Sequence, residues 1–207
     1  MNPGTTPRYG LPLHLAIPGL FVILGFELLI LLGLIEFEIG TQVLLTAALL
    51  LLPWIAVLIS RADPGSLGYR RENVFLHFGW GMVAGGVWRV MSVLLNYSHL
   101  DLRGLTGTSL DLLTSIIWVP FVEETFFRGY IGRSLSQAWG PAAGIFVQAI
   151  VFTLLPSHTG QGGWSMISIF VFGLLSGWLM ETRRSVWAPW GAHAFANVLP
   201  LIVLAIY

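Results

Sequence analysis

The sequence predicts an all-α membrane protein, a bundle of about seven transmembrane helices. The first reason is composition: 56% of the 207 residues are hydrophobic and 10% are charged, whereas a soluble domain carries roughly 25% charged residues. The second is the mean hydropathy of +0.80, which leaves too little polar surface for a water-soluble fold of this size. The third is a series of apolar runs that are long enough to cross a bilayer.

These apolar runs approach the length of about 20 residues that a helix needs to span the hydrocarbon core. No internal repeat and no linker rich in Ser or Pro divides the chain, so residues 1–207 are predicted to form a single integral membrane domain. In chain order the predicted spans are Leu13 to Ile35, Thr41 to Ser60, Val74 to Asn96, Leu110 to Arg133, Gly140 to Pro156, Trp164 to Met180 and Val186 to Tyr207.

The distribution of arginine between the loops predicts the orientation. The side that carries the N-terminus has seven arginines, and the other side has only Arg103. Because basic residues concentrate on the cytoplasmic side, the N-terminus is predicted to be cytoplasmic. The seven are Arg8, Arg61, Arg70, Arg71, Arg133, Arg183 and Arg184.

Charge and cysteine content exclude several function classes. Ten basic and ten acidic residues balance, so nothing indicates a nucleic-acid partner, and the predicted partners are the lipid bilayer and a membrane protein or peptide. The chain has no Cys, which excludes disulfides, thiolate nucleophiles and Cys-based zinc sites. The motifs His-Glu-x-x-His and Gly-x-Ser-x-Gly, a Walker loop and a dinucleotide-binding fingerprint are all absent.

The fourth predicted span carries the segment Val-Glu-Glu-Thr-Phe-Phe-Arg, which includes Glu123, Glu124 and Arg128. Glu124 and Arg128 are four residues apart, so they share a helix face and are expected to pair. Glu123 is turned about 100° away and lacks that counter-charge. A buried acid of this kind suits a general acid or base, although an architectural clamp between helices is the alternative for all three residues.

Three further polar residues lie in or near predicted spans. His158 ends the fifth span, and His193 and Asn197 are four apart in the seventh, where they project from one helix face. His193 and Asn197 can both donate hydrogen bonds, which suits stabilisation of a developing oxyanion. The simpler interpretation of each histidine is a hydrogen bond to a neighbouring helix.

Glu27 and Arg89 form a separate pair of charged residues within predicted spans. They lie at similar depths in the first and third spans, both of which run outward. Because a charge in the bilayer needs a partner, we expect a structural ion pair between them, with a substrate or proton contact as the alternative.

The order of these motifs resembles the CPBP family, the CAAX protease and bacteriocin-processing (Abi) family of intramembrane endopeptidases. The residues that carry the resemblance are Glu-Glu-x-x-x-Arg in one span, a His closing the next, and His-x-x-x-Asn in the last. The resemblance covers about residues 61–205. It departs from the family's Phe-x-x-x-His motif, because Leu154 stands four before His158 and the phenylalanine is Phe152.

The resemblance implies a glutamic intramembrane protease in which Glu123 and His158 activate water. It implies an oxyanion hole formed by His193 and Asn197, with Glu124 and Arg128 as supporting residues, no metal and no cofactor. Depth raises a difficulty, since His158 lies at the outer end of its span: the fifth span must start deeper, or end early at Pro156 and re-enter. The chain is compact, and all ten of its Lys and Arg positions are arginine. This composition favours a bacterial cytoplasmic membrane.

Two alternatives remain open at this stage. A zinc-dependent variant of the same protease is one, because two histidines and a carboxylate are a plausible zinc set. The other is not an enzyme: a membrane binding or immunity protein, or a transporter. The absence of an internal repeat counts against a transporter.

Overall fold

The computed structural model describes residues 10–95, 110, 113–161 and 163–206, and these are almost entirely helical with no β-strand among them. The predicted all-α class is therefore confirmed. The helices are α1 (Leu13–Leu31), α2 (Ile39–Ser60), α3 (Val74–Leu95), α4 (114–139), α5 (Pro141–Thr153), α6 (Pro156–Thr159), α7 (Gly163–Arg183) and α8 (Trp187–Ile206).

Four of the described helices, α1, α2, α3 and α7, are long and apolar enough to cross a membrane. The fifth predicted span is shorter than expected, because α5 has only 13 residues, about 20 Å of helix against a hydrocarbon core of about 30 Å. A helix overlaps each of the seven predicted spans. The number of crossings and the cytoplasmic N-terminus stay predictions, and Arg8 and Arg103 lie outside the described residues.

The surface of the bundle is far more apolar than that of a soluble protein. Large apolar side chains cover the surface, among them Phe75, which is 92% exposed, and Leu58, which is 75% exposed. Charged side chains lie inside, where Glu124 and Arg133 are fully buried. This arrangement fits a protein whose solvent is lipid, so the chain is an integral membrane protein.

Helix α4 forms the centre of the bundle. It consists of four consecutive segments, and all the residues of the third, a π-helical stretch, are buried. Helices α1, α2, α5, α7 and α8 all contact this stretch. π-helical turns inside longer helices are frequent at functional sites. The segments are Thr114–Trp118 (π), Val119–Glu123 (α), Glu124–Gly132 (π) and Arg133–Trp139 (α).

Arg133 is buried near the end of the bundle that carries Arg61 and Arg70. Arg133 belongs to α4 rather than to a loop, and its guanidinium donates to the carbonyl oxygen of Gly65 at 3.0 Å. This bond ties α4 to the one-turn 3₁₀ helix Pro64–Leu67 that follows α2. The bond keeps Arg133 at the same end of the bundle as Arg61 and Arg70, the side to which the sequence assigned it.

Glycines allow α3 and α8 to approach closely. A Cβ atom on Gly81 would overlap the backbone of Ala188, and one on Gly85 would overlap that of Ala192. Small residues at such a spacing are typical of tightly crossing membrane helices. The consequence for the site is that His193, next to Ala192, is held at a fixed distance from the bundle centre.

Helix α5 ends early, as the second alternative for the fifth span expected. Its last residue is Thr153, and α6 starts a new helical turn with Pro156 at its first position. Leu155, which precedes the proline, is extended with ψ 131°. The break places His158 in α6 rather than at the end of a continuous span.

Candidate active site

Glu124 is held between two cationic or polar partners. Its Oε2 lies 3.2 Å from Nε of Arg128, and its Oε1 lies 2.7 Å from Nδ1 of His193. The side chains of Glu124 and Arg128 are both fully buried. The pair predicted from the spacing of four residues is thus formed, and His193 completes it from α8.

Glu123 reaches the other side of the same histidine. Its Oε2 lies 3.9 Å from Nε2 of His193, so the imidazole ring lies between the two adjacent carboxylates. Glu123 is 13% exposed, whereas Glu124 is fully buried. The Oε2 atom of Glu123 accepts no hydrogen bond from any residue that the structure describes. Glu123 therefore retains an oxygen that is free to bind another group.

Phe152 explains the departure from the Phe-x-x-x-His pattern. The ring of Phe152 meets the ring of His158 edge-on, with centroids 4.6 Å apart. The carbonyl oxygen of Phe152 lies 2.7 Å from Nδ1 of His158. The helix break after Thr153 thus turns His158 back onto Phe152 despite their six-residue separation. His158 is near enough to Glu123, His193 and Arg128 to interact with them electrostatically.

Two aromatic rings hold the guanidinium of Arg128. Its central carbon lies 4.1 Å from the ring centroid of Phe152 and 5.7 Å from that of Phe172 on α7. The same two rings also face His193, with centroid distances of 6.4 and 5.3 Å. Cation–π contacts strengthen when desolvated, so this aromatic pair stabilises the buried charge.

Asn197 lies one helical turn beyond His193 on α8 and is half-buried. Its position four residues further along places it on the same face as His193. The structure therefore brings five of the six motif residues into one cluster through described contacts, and Asn197 lies one turn further along the same helix face. The roles of all six stay predictions.

Tyr69 supports the motif helix from outside it, a contact that sequence reasoning missed. The hydroxyl groups of Tyr69 and Thr125 are hydrogen-bonded, and Thr125 also donates to the carbonyl oxygen of Phe121. Because the proton of Thr125 is used in that way, Tyr69 donates to Thr125. No pairwise spacing signals a bond between residues 56 positions apart.

A cavity of about 240 Å³ borders Glu123. Its wall is largely apolar, with Leu45, Leu49 and Val122 among the lining side chains. The polar lining residues are Gln42, Thr46, Glu123 and Ser157. The cavity lies between α2, α4 and α6 and reaches Phe37 in the connection between α1 and α2.

The predicted ion pair between Glu27 and Arg89 is wrong. Both residues are described, and no ion pair within 4.0 Å joins them; instead Thr159 of α6 donates to Oε2 of Glu27 at 3.3 Å. The physical reason is that α1 packs on α2 and α4, whereas α3 packs on α7 and α8. Similar depth in the membrane therefore did not make the two helices neighbours.

The zinc alternative finds no matching donor set among the described residues. No three His, Asp or Glu side chains in that part of the chain are arranged to hold a metal ion. The distance of 2.7 Å between His193 and Glu124 instead commits the Nδ1 atom to a hydrogen bond. Independence from metals and cofactors stays a prediction.

The fold and this cluster define a membrane protein with a buried site of two carboxylates and two histidines. Residues 106–199 match the family model of the Rce1-like type II CAAX prenyl endopeptidases. The match covers a little less than half of the chain and includes all six motif residues, which confirms the resemblance to the CAAX proteases. No curated protein and no solved structure matches the chain.

Proposed function

We propose that the chain is an intramembrane endopeptidase in which Glu123 activates a water molecule to hydrolyse a peptide bond. The proposal rests on the endopeptidase family that residues 106–199 match. The single observation that carries the catalytic assignment is the contrast between the two adjacent glutamates. Glu124 is fully buried, pairs with Arg128 at 3.2 Å and is hydrogen-bonded to His193, whereas Glu123 is 13% exposed, lies 3.9 Å from His193 and borders the cavity.

His158 is suited to hold that water together with Glu123. Its Nδ1 atom faces the carbonyl oxygen of Phe152, which can only accept, so Nδ1 carries the proton. The Nε2 atom of the neutral ring then has a lone pair and accepts a hydrogen bond. Two acceptors, a carboxylate and an imidazole, would orient and polarise one water molecule.

The contacts of His193 decide which of its ring atoms can face the substrate. Its Nδ1 atom lies 2.7 Å from Oε1 of Glu124, and a carboxylate oxygen accepts, so Nδ1 donates that hydrogen bond. The Nε2 atom is left to face the carbonyl oxygen of the substrate. To act as an oxyanion donor there, Nε2 must also carry a proton.

The proposed reaction proceeds in two steps. Glu123 takes a proton from water while the water oxygen bonds to the peptide carbonyl carbon, and the negative charge on the carbonyl oxygen is received by His193 and Asn197. The carbon–nitrogen bond then breaks as Glu123 returns its proton to the leaving amine. The products are a new carboxyl terminus and a new amino terminus.

The cavity indicates the substrate class. Its apolar wall fits an extended, apolar segment of a membrane protein or peptide, and its polar residues Gln42, Thr46 and Ser157 can bind the exposed backbone of that segment. The bacterial cytoplasmic membrane is the proposed location.

The proposal is tested by comparing protein termini in cells that express the wild type or Glu123→Gln at equal membrane abundance. Mass spectrometry of the membrane and secreted proteins is expected to find new termini that occur only with the wild type. Glu38→Gln is the matched control, because Glu38 is exposed in the turn before α2 and undergoes the same chemical change.

Identical termini in all three strains, with Glu123→Gln still folded, would favour the binding, immunity or transport alternatives. With the cleaved substrate in hand, a metal chelator such as 1,10-phenanthroline is expected to leave the activity of the purified enzyme unchanged. Loss of activity that zinc restores would support the zinc-dependent alternative instead.

Asn197→Leu tests the oxyanion assignment. This change keeps the branching and the number of side-chain heavy atoms but removes the amide donor, so kcat is expected to fall about 10²–10³-fold with KM changed only slightly. The measurement is steady-state cleavage of the identified substrate by purified protein. Gln161→Leu, which changes an exposed amide, is expected to keep the wild-type kcat. An unchanged kcat for Asn197→Leu would refute the role of Asn197.

A further inference from the structure

A second cavity, larger than the one at Glu123, lies at the arginine-rich end of the bundle. It has a volume of about 840 Å³, and its wall includes Arg61, Arg70, Arg71 and Ser66. We call it the arginine cavity. It shares no lining residue with the cavity at Glu123, so it is a separate site.

The three arginines of this cavity have no anionic partner in the described part of the chain. None of them forms an ion pair there, in contrast to Arg128. Two carboxylates, those of Asp63 and Glu72, also line the cavity, and Asp63 accepts a hydrogen bond from the backbone N–H of Gly65 at 2.7 Å. Three guanidinium groups against two carboxylates leave the arginine cavity with one net positive charge.

A buried hydroxyl adds a second polar feature that the protein itself does not satisfy. Ser66 is 5% exposed and lines the arginine cavity, yet its Oγ has no hydrogen-bond partner among the described residues. A buried hydroxyl without a partner costs free energy. The Oγ atom faces away from the open space of the cavity, so a ligand acceptor would offset that cost once the Ser66 side chain rotates toward it. Arginines and a hydroxyl together form the donor set that phosphate oxygens prefer.

The place of the arginine cavity in the bundle identifies the source of that phosphate. Its wall is formed where α1 begins, α2 ends and α3 begins, immediately beyond three apolar helices. This is the level at which lipid headgroups lie. We propose that the arginine cavity binds the phosphate group of an anionic phospholipid headgroup.

Tyr69 connects this site to the motif helix. Its ring lines the arginine cavity, and its hydroxyl donates to Thr125, the residue after Glu124. Burial raises the pKa of Tyr69 to about 12, so the phenol stays neutral and does not repel a phosphate. A headgroup bound here would rest on the side chain that supports the helix of Glu123 and Glu124.

The test measures binding of phosphatidylglycerol and phosphatidylcholine, with identical acyl chains, to the detergent-purified protein by native mass spectrometry. The wild type is expected to bind phosphatidylglycerol more tightly. The double variant Arg70→Gln/Arg71→Gln is expected to lose about 30-fold in that affinity, given the usual contribution of each arginine near anionic lipid. Arg61→Gln, a milder change, is expected to lose about 5-fold.

The matched control is Arg183→Gln, which removes one arginine at the same end of the bundle but outside the arginine cavity, where Arg183 stacks on Trp80. It is expected to keep wild-type affinity. Equal losses of phosphatidylglycerol affinity for Arg61→Gln and Arg183→Gln would show that the lipid is attracted to the positive charge of this end in general, and would overturn the proposal. Binding of soluble glycerol phosphate as tight as that of the lipid would overturn the lipid assignment.

Discussion

Glutamine in place of Glu123 is expected to abolish hydrolysis of the substrate while leaving the folded protein as stable as the wild type. The amide cannot take a proton from water, and loss of a general base costs about 10²–10⁴-fold in rate. The side chain is partly exposed, and its Oε2 has no hydrogen bond to lose among the described residues. The free energy of unfolding is therefore expected to change by less than about 1 kcal/mol.

The neighbouring glutamate provides the contrast. Glu124→Gln makes the same chemical change one residue later, where it leaves Arg128 and His193 without their shared carboxylate. We expect this variant to lose stability as well as activity. Cleavage rates of the identified substrate and thermal unfolding in detergent distinguish the two variants. An active Glu123→Gln beside a stable, inactive Glu124→Gln would reverse the proposed roles.

Arg128→Met is expected to lower the free energy of unfolding by about 3–5 kcal/mol, because it leaves the buried carboxylate of Glu124 without its cation. Methionine retains most of the packing against Phe152 and Phe172. The lost free energy of unfolding therefore measures the removal of the charge and not the opening of a cavity. Thermal or denaturant unfolding of the purified protein in detergent measures it.

Two further variants make the Arg128 result specific. Arg183→Met removes a cation that stacks on Trp80 near the end of α7 and is expected to cost less than about 1 kcal/mol. The double variant Arg128→Met/Glu124→Gln is expected to be more stable than Arg128→Met alone, since no uncompensated charge remains. If Arg128→Met and Arg183→Met have the same free energy of unfolding, the buried pair of Glu124 and Arg128 does not stabilise the motif helix.

Local spacing predicted the parts of the site that depend on one helix. The pair of Glu124 and Arg128 followed from a separation of four residues, and the different environment of Glu123 followed from its position one residue earlier. The membrane class followed from composition, because a chain with so few charges cannot cover a soluble surface, and the helices followed from apolar runs of about 20 residues. These inferences needed no knowledge of how helices neighbour one another.

The rest of the site depends on tertiary contacts that spacing does not encode. The ring of His193 lies between the two glutamates because α8 packs tightly on α3 and meets α4, which no motif in α8 specifies. Similar depth in two predicted spans did not identify the partner of Glu27, which is Thr159 rather than Arg89. The break after α5 was suggested by Pro156, but only the structure showed that it returns His158 to Phe152.

The most direct test of the central claim is a single turnover in H₂¹⁸O with enzyme in excess over substrate. If Glu123 activates water as a base, the new carboxyl terminus of the product gains one ¹⁸O atom, and Glu123 gains none. A glutamate that attacked the substrate itself would form an anhydride, whose hydrolysis can place ¹⁸O in the side chain of Glu123. Mass spectrometry of the product and of the peptide containing Glu123 measures both atoms, and label in Glu123 would contradict the proposed mechanism.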